Sequence, residues 1–596
     1  MLSADPSEIG AVRLADGSWQ FRLWAPAAQR AALHFPASGQ HLEMQPADFG
    51  YLTKRVADPP ADGLYFFRLD GGEDLPDPAS RSQPHGVHGP SRLASEEYDW
   101  RSEKWPGVAR SELVIYEMHV GAFTREGTFA AAIAHLEELK SLGVTAIEIM
   151  PAAQFPGGRN WGYDGVFPFA VQDSYGGPLG LKQFVDACHL RGMAVILDVV
   201  YNHLGPEGNV LHRFGPYFTD RYRTPWGSAL NFDGKSSDPV RAYFLANATY
   251  WLREFRVDGL RVDAVHAIYD NTAQHFLQDL AEAIHEEGQC ANRQTHIIAE
   301  SKVNSPRHTQ SLQSGGFGMD MQWNDDFQHA LHALITGERN RHYADHGELA
   351  HMEKAYSQGF VLTGQYSHYR QRRHGVSSRG MEADRFVVFA QSHDDIGNRA
   401  DSQRLAQLAG LEFAKLAAAA TLLSPYIPML FMGEEYAEPA PFHYFTSHSG
   451  PGLIEAVRRG RRQEFGHQSE SPDPQAEETF TNSKLNHALK SQSPHREMRS
   501  YYKELLHLRR ALPPLRTLSK ENMLVLSDAS RQLLSVRRWA DDQQTVLLLN
   551  FSNKTQVAPS DPALRVILDS ADSQWAGPGP APAGNIGPAS CQLLST

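Results

Sequence analysis

The chain has 596 residues, 41% hydrophobic, 21% charged and 10% aromatic, a globular composition too long for one ordinary core, so two to four domains are expected. Its net charge of −13 argues against nucleic acid or an anionic membrane surface as the main partner and favours a neutral one. The three cysteines, Cys188, Cys290 and Cys591, make no disulfide framework or metal-ligand spacing, no run is long enough to span a membrane, and the start MLSADPSEIG lacks a signal peptide's features, so a cytoplasmic protein is expected.

Residues 1–100 alternate short apolar runs (Gln20–Trp24, Ala31–Phe35, Gly63–Leu69) with Gly, Pro and Asp turns, the pattern of a small immunoglobulin-like β-sandwich. The stretch Asp77–Pro90, rich in Pro, Gly, Ser and His, reads as a linker or a loop lying against the next domain. From Glu112 the pattern changes to short apolar runs separated by amphipathic stretches. The runs are Leu113–His119, Val144–Met150, Ala194–Val199, Gly259–Asp263, His296–Glu300, Gly316–Met321, Arg385–Ala390 and Pro428–Phe431. Continuous apolar runs suit parallel strands covered on both faces. With helices at Thr128–Leu142, Leu179–Arg191 and Asp238–Phe255 as crossovers, they predict an α/β fold, a (β/α)8 barrel over residues 101–515. A long Gly-, Pro- and aromatic-rich connection at 202–238 predicts a functional loop or inserted subdomain. A polar stretch near Gly466–His495 reads as a mobile excursion before a last helix, Arg499–Ala511. Strand-like runs Met523–Leu526, Gln532–Arg538 and Thr545–Phe551 predict a small antiparallel β-domain over 516–596.

Parallel barrels carry their chemistry at the carboxyl ends of the strands. Three carboxylates, Asp263, Glu300 and Asp394, fall at or just past such ends, in GLRVDAVH, IIAES and QSHDDIGN. Each alone has an ordinary reading, a helix cap or an ion-pair partner. Together, in order, they match what glycoside hydrolysis needs: an acid to protonate the leaving oxygen and a carboxylate facing the oxocarbenium-like carbon. Arg261, two residues before Asp263, points to the same strand face and would pair with it. The apolar Ile297, Ile298 and Ala299 before Glu300 predict a partly desolvated carboxyl suited to the acid role.

These motifs, with DVVYNH at Asp198–His203, resemble the α-amylase superfamily of glycoside hydrolases. The resemblance implies Asp263 as nucleophile, Glu300 as proton donor and Asp394 as transition-state stabiliser. It also implies His203 and His393 on sugar hydroxyls and Tyr163, in WGYDG, as a stacking platform. A finer similarity is to the maltooligosyltrehalose trehalohydrolases. It is carried by RLWAP at Arg22–Pro26, DPASRSQPHGVHGPS at Asp77–Ser91, NHLGPEGN at Asn202–Asn209, WNDDFQHALHALITGE at Trp323–Glu338, GQYSHYR at Gly364–Arg370 and FMGEEYAEPAPFHYFTSH at Phe431–His448. The family removes trehalose from glucans that end in a trehalose unit by cutting the adjacent α-1,4 bond, which implies maltooligosyl trehalose and maltooligosaccharides as partners. A polar pocket that hydrogen-bonds the leaving disaccharide can discriminate it from a maltosyl end. Asp325, Asp326 and His329, with Arg261, His266 and Asn398, are the candidates to line that side. Lys302, Gln328, Ser392 and Asp395 depart from the family pattern, in which an acidic residue, His, Asn and Gln are commoner. No cofactor or calcium site is evident, because the long loop lacks a dense Asp/Asn cluster. An α-1,4-glucan branching enzyme, transferring to a sugar hydroxyl instead of water, is the main alternative; a non-catalytic glucan-binding scaffold is disfavoured because all three carboxylates are present.

Overall fold

The computed structural model describes residues 9–94, 97–465, 472–559 and 561–596. At its centre eight parallel strands form a closed barrel: β1 Ile115–Met118, β2 Ala146–Ile149, β3 Ala194–Val199, β4 Gly259–Val262, β5 His296–Ala299, β6 Met321–Trp323, β7 Phe386–Phe389 and β8 Ile427–Phe431. Each pairs with the next in sequence, and β8 closes on β1 with Met429 opposite Ile115. The strands are apolar throughout because both faces are covered. Ile115, Ala146, Ile196, Ile298, Met321, Val387 and Met429 fill the inside as one cluster, and crossovers such as Gly177–His189 and Ser237–Glu254 cover the outside. The expected helix at Thr128–Leu142 is two, Phe129–Ile133 and Leu136–Leu142.

The sixth strand corrects the sequence expectation of Gly316–Met321. Gly318 turns there with φ +72°, and the Asp320 carboxylate accepts the Ile297 N–H at 2.9 Å, so parallel pairing starts only at Met321.

Ahead of the barrel, two antiparallel sheets contain Gly10–Arg13, Trp19–Trp24 and Tyr51–Val56 in one and Ala31–Phe35 and Leu64–Leu69 in the other. Alternate inward residues meet across them, Phe21 lying edge-on to Tyr65 at 5.1 Å. The stretch after them packs on the barrel: Tyr243 donates to the Pro78 carbonyl at 2.7 Å, and the Arg81 guanidinium lies 4.9 Å from the Tyr250 ring. After the barrel, Met523–Asp528, Leu533–Ala540, Gln543–Asn550, Ser590–Ser595 and Arg565–Asp569 form a five-stranded sheet in that order. Lys415, donating to the Ser570 carbonyl at 2.7 Å, ties it to the barrel.

The expected mobile excursion also needs correction. Its residues 466–471 lie outside the described residues, as do residues 1–8 of the N-terminus, but the rest is docked. Phe480 lies edge-on to Phe445 at 4.9 Å, the His443 N–H donates to Ser483 at 3.0 Å, and the last helix begins at His495. Among the described residues no helix is long and apolar enough to cross a membrane.

Candidate active site

The floor of the site is an ion-pair knot. Asp198 on β3 and Arg261 on β4 are register neighbours, 2% and 1% exposed in their side chains. One guanidinium nitrogen, Nη1, contacts both Asp198 oxygens at 3.0 and 2.9 Å and Asp263 Oδ1 at 2.8 Å. The guanidinium also lies 4.4 Å from the Trp323 ring, a favourable cation–π placement when desolvated. Burial still pushes the Asp198 carboxyl up to about 7, against the pull of Arg261.

Asp263 and Glu300 each stand one residue past their strand, continuing the ladder through Asp263 N–H to Val199 O at 3.0 Å and Glu300 N–H to Val262 O at 3.1 Å. The Asn202 amide donates to Asp263 Oδ2 at 2.8 Å, so both carboxylate oxygens are held. The next residue, Ala264, takes the left-handed conformation at φ 40°, which is uncommon for a side-chain-bearing residue. In that conformation its N–H donates to Glu300 Oε2 at 2.7 Å, tying Glu300 to the segment that carries Asp263.

Asp394 follows β7, in the first turn of the helix His393–Gly397. The Asn398 amide donates to its Oδ1 at 3.0 Å, and the Lys302 ammonium stands 3.6 Å from its Oδ2. Burial works against its charge, but Lys302, His393 and Arg261 together hold it well below the usual carboxylate range. His393 is fixed by Glu117 of β1: its backbone N–H donates to Glu117 Oε2 at 3.1 Å, and its Nδ1 pairs with the other oxygen. Against its burial, Glu117 raises His393 to about 9.

Tyr163 closes the circuit. Its hydroxyl donates to Asp198 at 2.8 Å and lies 2.9 Å from His393 Nε2, with its ring stacked on His393 at 5.3 Å. His203 Nε2 is 3.1 Å from the Tyr163 carbonyl oxygen, and its ring stacks on Trp226 at 5.4 Å. Trp226, at the tip of the hairpin Phe218–Thr224/Gly227–Leu230 in the long loop, is 48% exposed, an aromatic surface beside His203. Sequence reasoning missed it and Glu117. The aromatic-rich loop was a signal for Trp226; nothing local marked Glu117.

On the far side the structure separates two neighbours. Asp325 is within electrostatic reach of Glu300, Lys302, Asp395 and Asp394, and burial, with the charge of Glu300, drives its carboxyl well above the ordinary range. Asp326 does not line that side, contrary to the sequence expectation. Its Oδ2 accepts from Asn304 Nδ2 and from the Val361 and Leu362 N–H groups, each at 2.7 Å, and its Oδ1 pairs with His346 at 3.3 Å. That carboxylate is saturated by its own protein. Asp326→Ala is therefore expected to strand buried donors and destabilise the fold by on the order of 3 kcal/mol; a thermal midpoint equal to that of the unmodified chain would refute this anchoring role.

His329 is buried and stacks on His342 at 4.6 Å. His266, in the turn Val265–Ala267, keeps a buried Nδ1 without a hydrogen-bond partner. Asn398 serves Asp394 and accepts from Arg461 at 3.0 Å. Of the four unusual residues, Ser392 caps the Asp394 helix and donates to Asp395 at 2.8 Å, and Gln328 has a buried, unpartnered carbonyl oxygen. Lys302, with its side chain 52% exposed, puts a cation beside Asp394, and Asp395 returns a carboxylate.

The profile described as "Alpha amylase, catalytic domain" matches residues 76–223. The malto-oligosyltrehalose trehalohydrolase of Saccharolobus solfataricus is 47% identical over 504 residues, 84% of this chain and 87% of that one. A crystal structure from Salmonella typhimurium, named as an α-amylase candidate, superposes with a TM-score of 0.91 at 38% identity over 99% of both chains. By contrast, the 1,4-alpha-glucan branching enzyme of Pseudoalteromonas atlantica is 31% identical over 54% of this chain and 50% of its own.

Proposed function

The chain belongs to the malto-oligosyltrehalose trehalohydrolases, glycosidases of the α-amylase superfamily, and from that premise we propose that it cuts the α-1,4 bond next to the terminal trehalose unit of maltooligosyl trehalose, releasing trehalose and a maltooligosaccharide. The observation that carries the mechanism is the 2.7 Å bond from Ala264 N–H to Glu300, which sets an acid beside the residue that follows Asp263. In the first step Glu300 gives its proton to the glycosidic oxygen while an Asp263 oxygen bonds to the anomeric carbon, and the trehalose unit leaves. In the second, Glu300 takes a proton from water, whose oxygen displaces Asp263 and restores the original configuration. Asp394, kept anionic beside Lys302, faces the positive charge that develops on the ring. His203, His393 and Tyr163 serve the hydroxyls and face of the sugar at the cleavage point. Asp325, His266 and His329 serve the leaving group, and Arg261 holds Asp263.

On this reading the partners are neutral glucans, neither nucleic acid nor membrane, and the free Cys188, Cys290 and Cys591 support a cytoplasmic setting. Chromatography of the products from maltotriosyl trehalose is expected to yield trehalose and maltotriose, the latter first in the α-anomeric form. New α-1,6 branches on amylose without trehalose release would instead favour the branching-enzyme reading.

A further inference from the structure

Three elements converge beside the leaving-group side of the cleft. His329 comes from the helix Asp325–Thr336, His342 from the turn Arg341–Asp345 and Asp395 from the helix His393–Gly397. One ligand atom of each lies within 4.8 Å of those of the other two. The two imidazoles are stacked 4.6 Å apart at 29°. His342 Nε2 is buried with no hydrogen-bond partner in the protein, and a buried polar atom left unpaired calls for a partner from outside. Asp395 spends one oxygen, Oδ2, on the Ser392 hydroxyl at 2.8 Å and keeps the other.

We propose that His329, His342 and Asp395 form a binding site for a divalent ion of the zinc class. Two imidazole nitrogens and one carboxylate oxygen are a donor set that suits zinc, with the fourth position open to water. They are too few oxygens for calcium. A second grouping, Asp326, His329 and His346, is a poorer host because the Asp326 oxygens are already committed to Asn304, Val361, Leu362 and His346. The charges facing the site are mixed. Lys302 and Arg370 act on His329, Lys302, Arg341 and Asp394 on His342, and Asp394 and Lys302 on Asp395. The cations work against a bound divalent ion, and the carboxylates of Asp394 and Asp395 work for it. An ion here would occupy space that the proposed function gives to the leaving sugar, so zinc and substrate would exclude each other and the ion would act as a reversible inhibitor.

The test is calorimetric titration of the full chain with zinc chloride in chelator-free buffer, for the unmodified protein, His342→Ala and Asp395→Asn, with thermal melting to confirm that each variant is folded. The expected result is one saturable equivalent in the unmodified chain, weakened at least about tenfold in both variants, since losing a ligand should cost no less than losing one of the outer partners that orient ligands. Absence of a saturable equivalent, or one that survives both substitutions unchanged, would overturn the proposal. Because the ion's binding is read directly, the result stands or falls independently of which glucan the enzyme cleaves.

Discussion

Glu300→Gln is expected to lower kcat by about 10²- to 10⁴-fold, the usual contribution of a positioned general acid, and Asp263→Asn by at least as much. Both substitutions keep shape and remove one function. The amide oxygen introduced by Glu300→Gln can still accept the Ala264 N–H bond that the carboxylate accepts at 2.7 Å, so the acid's place is kept while its proton is lost. In Asp263→Asn the Arg261 guanidinium retains its contacts with Asp198 at 3.0 and 2.9 Å, so no buried cation is orphaned. The two variants separate on an aryl α-glucoside whose leaving group needs no proton. Glu300→Gln should recover much of the first step, whereas Asp263→Asn should recover none, because the atom that bonds to carbon is gone. Unimpaired turnover of the natural substrate by either variant would defeat the role assignment.

Arg261→Met is expected to cost about 3–5 kcal/mol of stability, the range for removing one partner of a buried ion pair, and to abolish activity with it. The arginine is 1% exposed in its side chain and its partner Asp198 2%, so the Asp198 carboxylate left behind cannot turn to solvent. Burial already holds the Asp198 carboxyl near 7 with the guanidinium in place, and without it that carboxyl rises further. The sign follows from linkage: a carboxyl whose folded value exceeds its unfolded one binds more protons in the native state. Its contribution to stability is complete below the unfolded value and is lost as pH rises through the folded value. The Arg261→Met variant should therefore lose more stability than the unmodified chain between about pH 4 and above 7. Adding Asp198→Asn should recover part of the loss. Parallel stability–pH curves for the two proteins would show that Arg261 does not compensate Asp198.

Much of the fold was legible because its signals are local. A strand covered on both faces reads as a short apolar run, and Asp263 and Glu300 could be named because each follows such a run by a single residue. The sixth strand was misplaced for an equally local reason: Phe317, Met319 and Met321 look like one run, but the turn at Gly318 and the capping carboxylate of Asp320 postpone pairing to Met321.

Asp325 and Asp326 mark where local reading stops. They are consecutive in the first turn of one helix, whose residues point about 100° apart, so only one can face the cleft. The winner is set by the Val361 and Leu362 N–H groups, which claim Asp326 from a distant part of the chain. Glu117 is the same case at longer range, since it reaches His393 only because the barrel closes and brings β1 against β8 beside β7. The order of elements, the end of every barrel strand but the sixth to within a residue, and the position of three carboxylates at or just past strand ends were written in the chain itself, because backbone geometry imposes its periods on neighbouring residues. Which polar groups still have a hydrogen bond to offer a ligand was decided by the tertiary structure alone, because that capacity is whatever the packing of remote segments leaves unused.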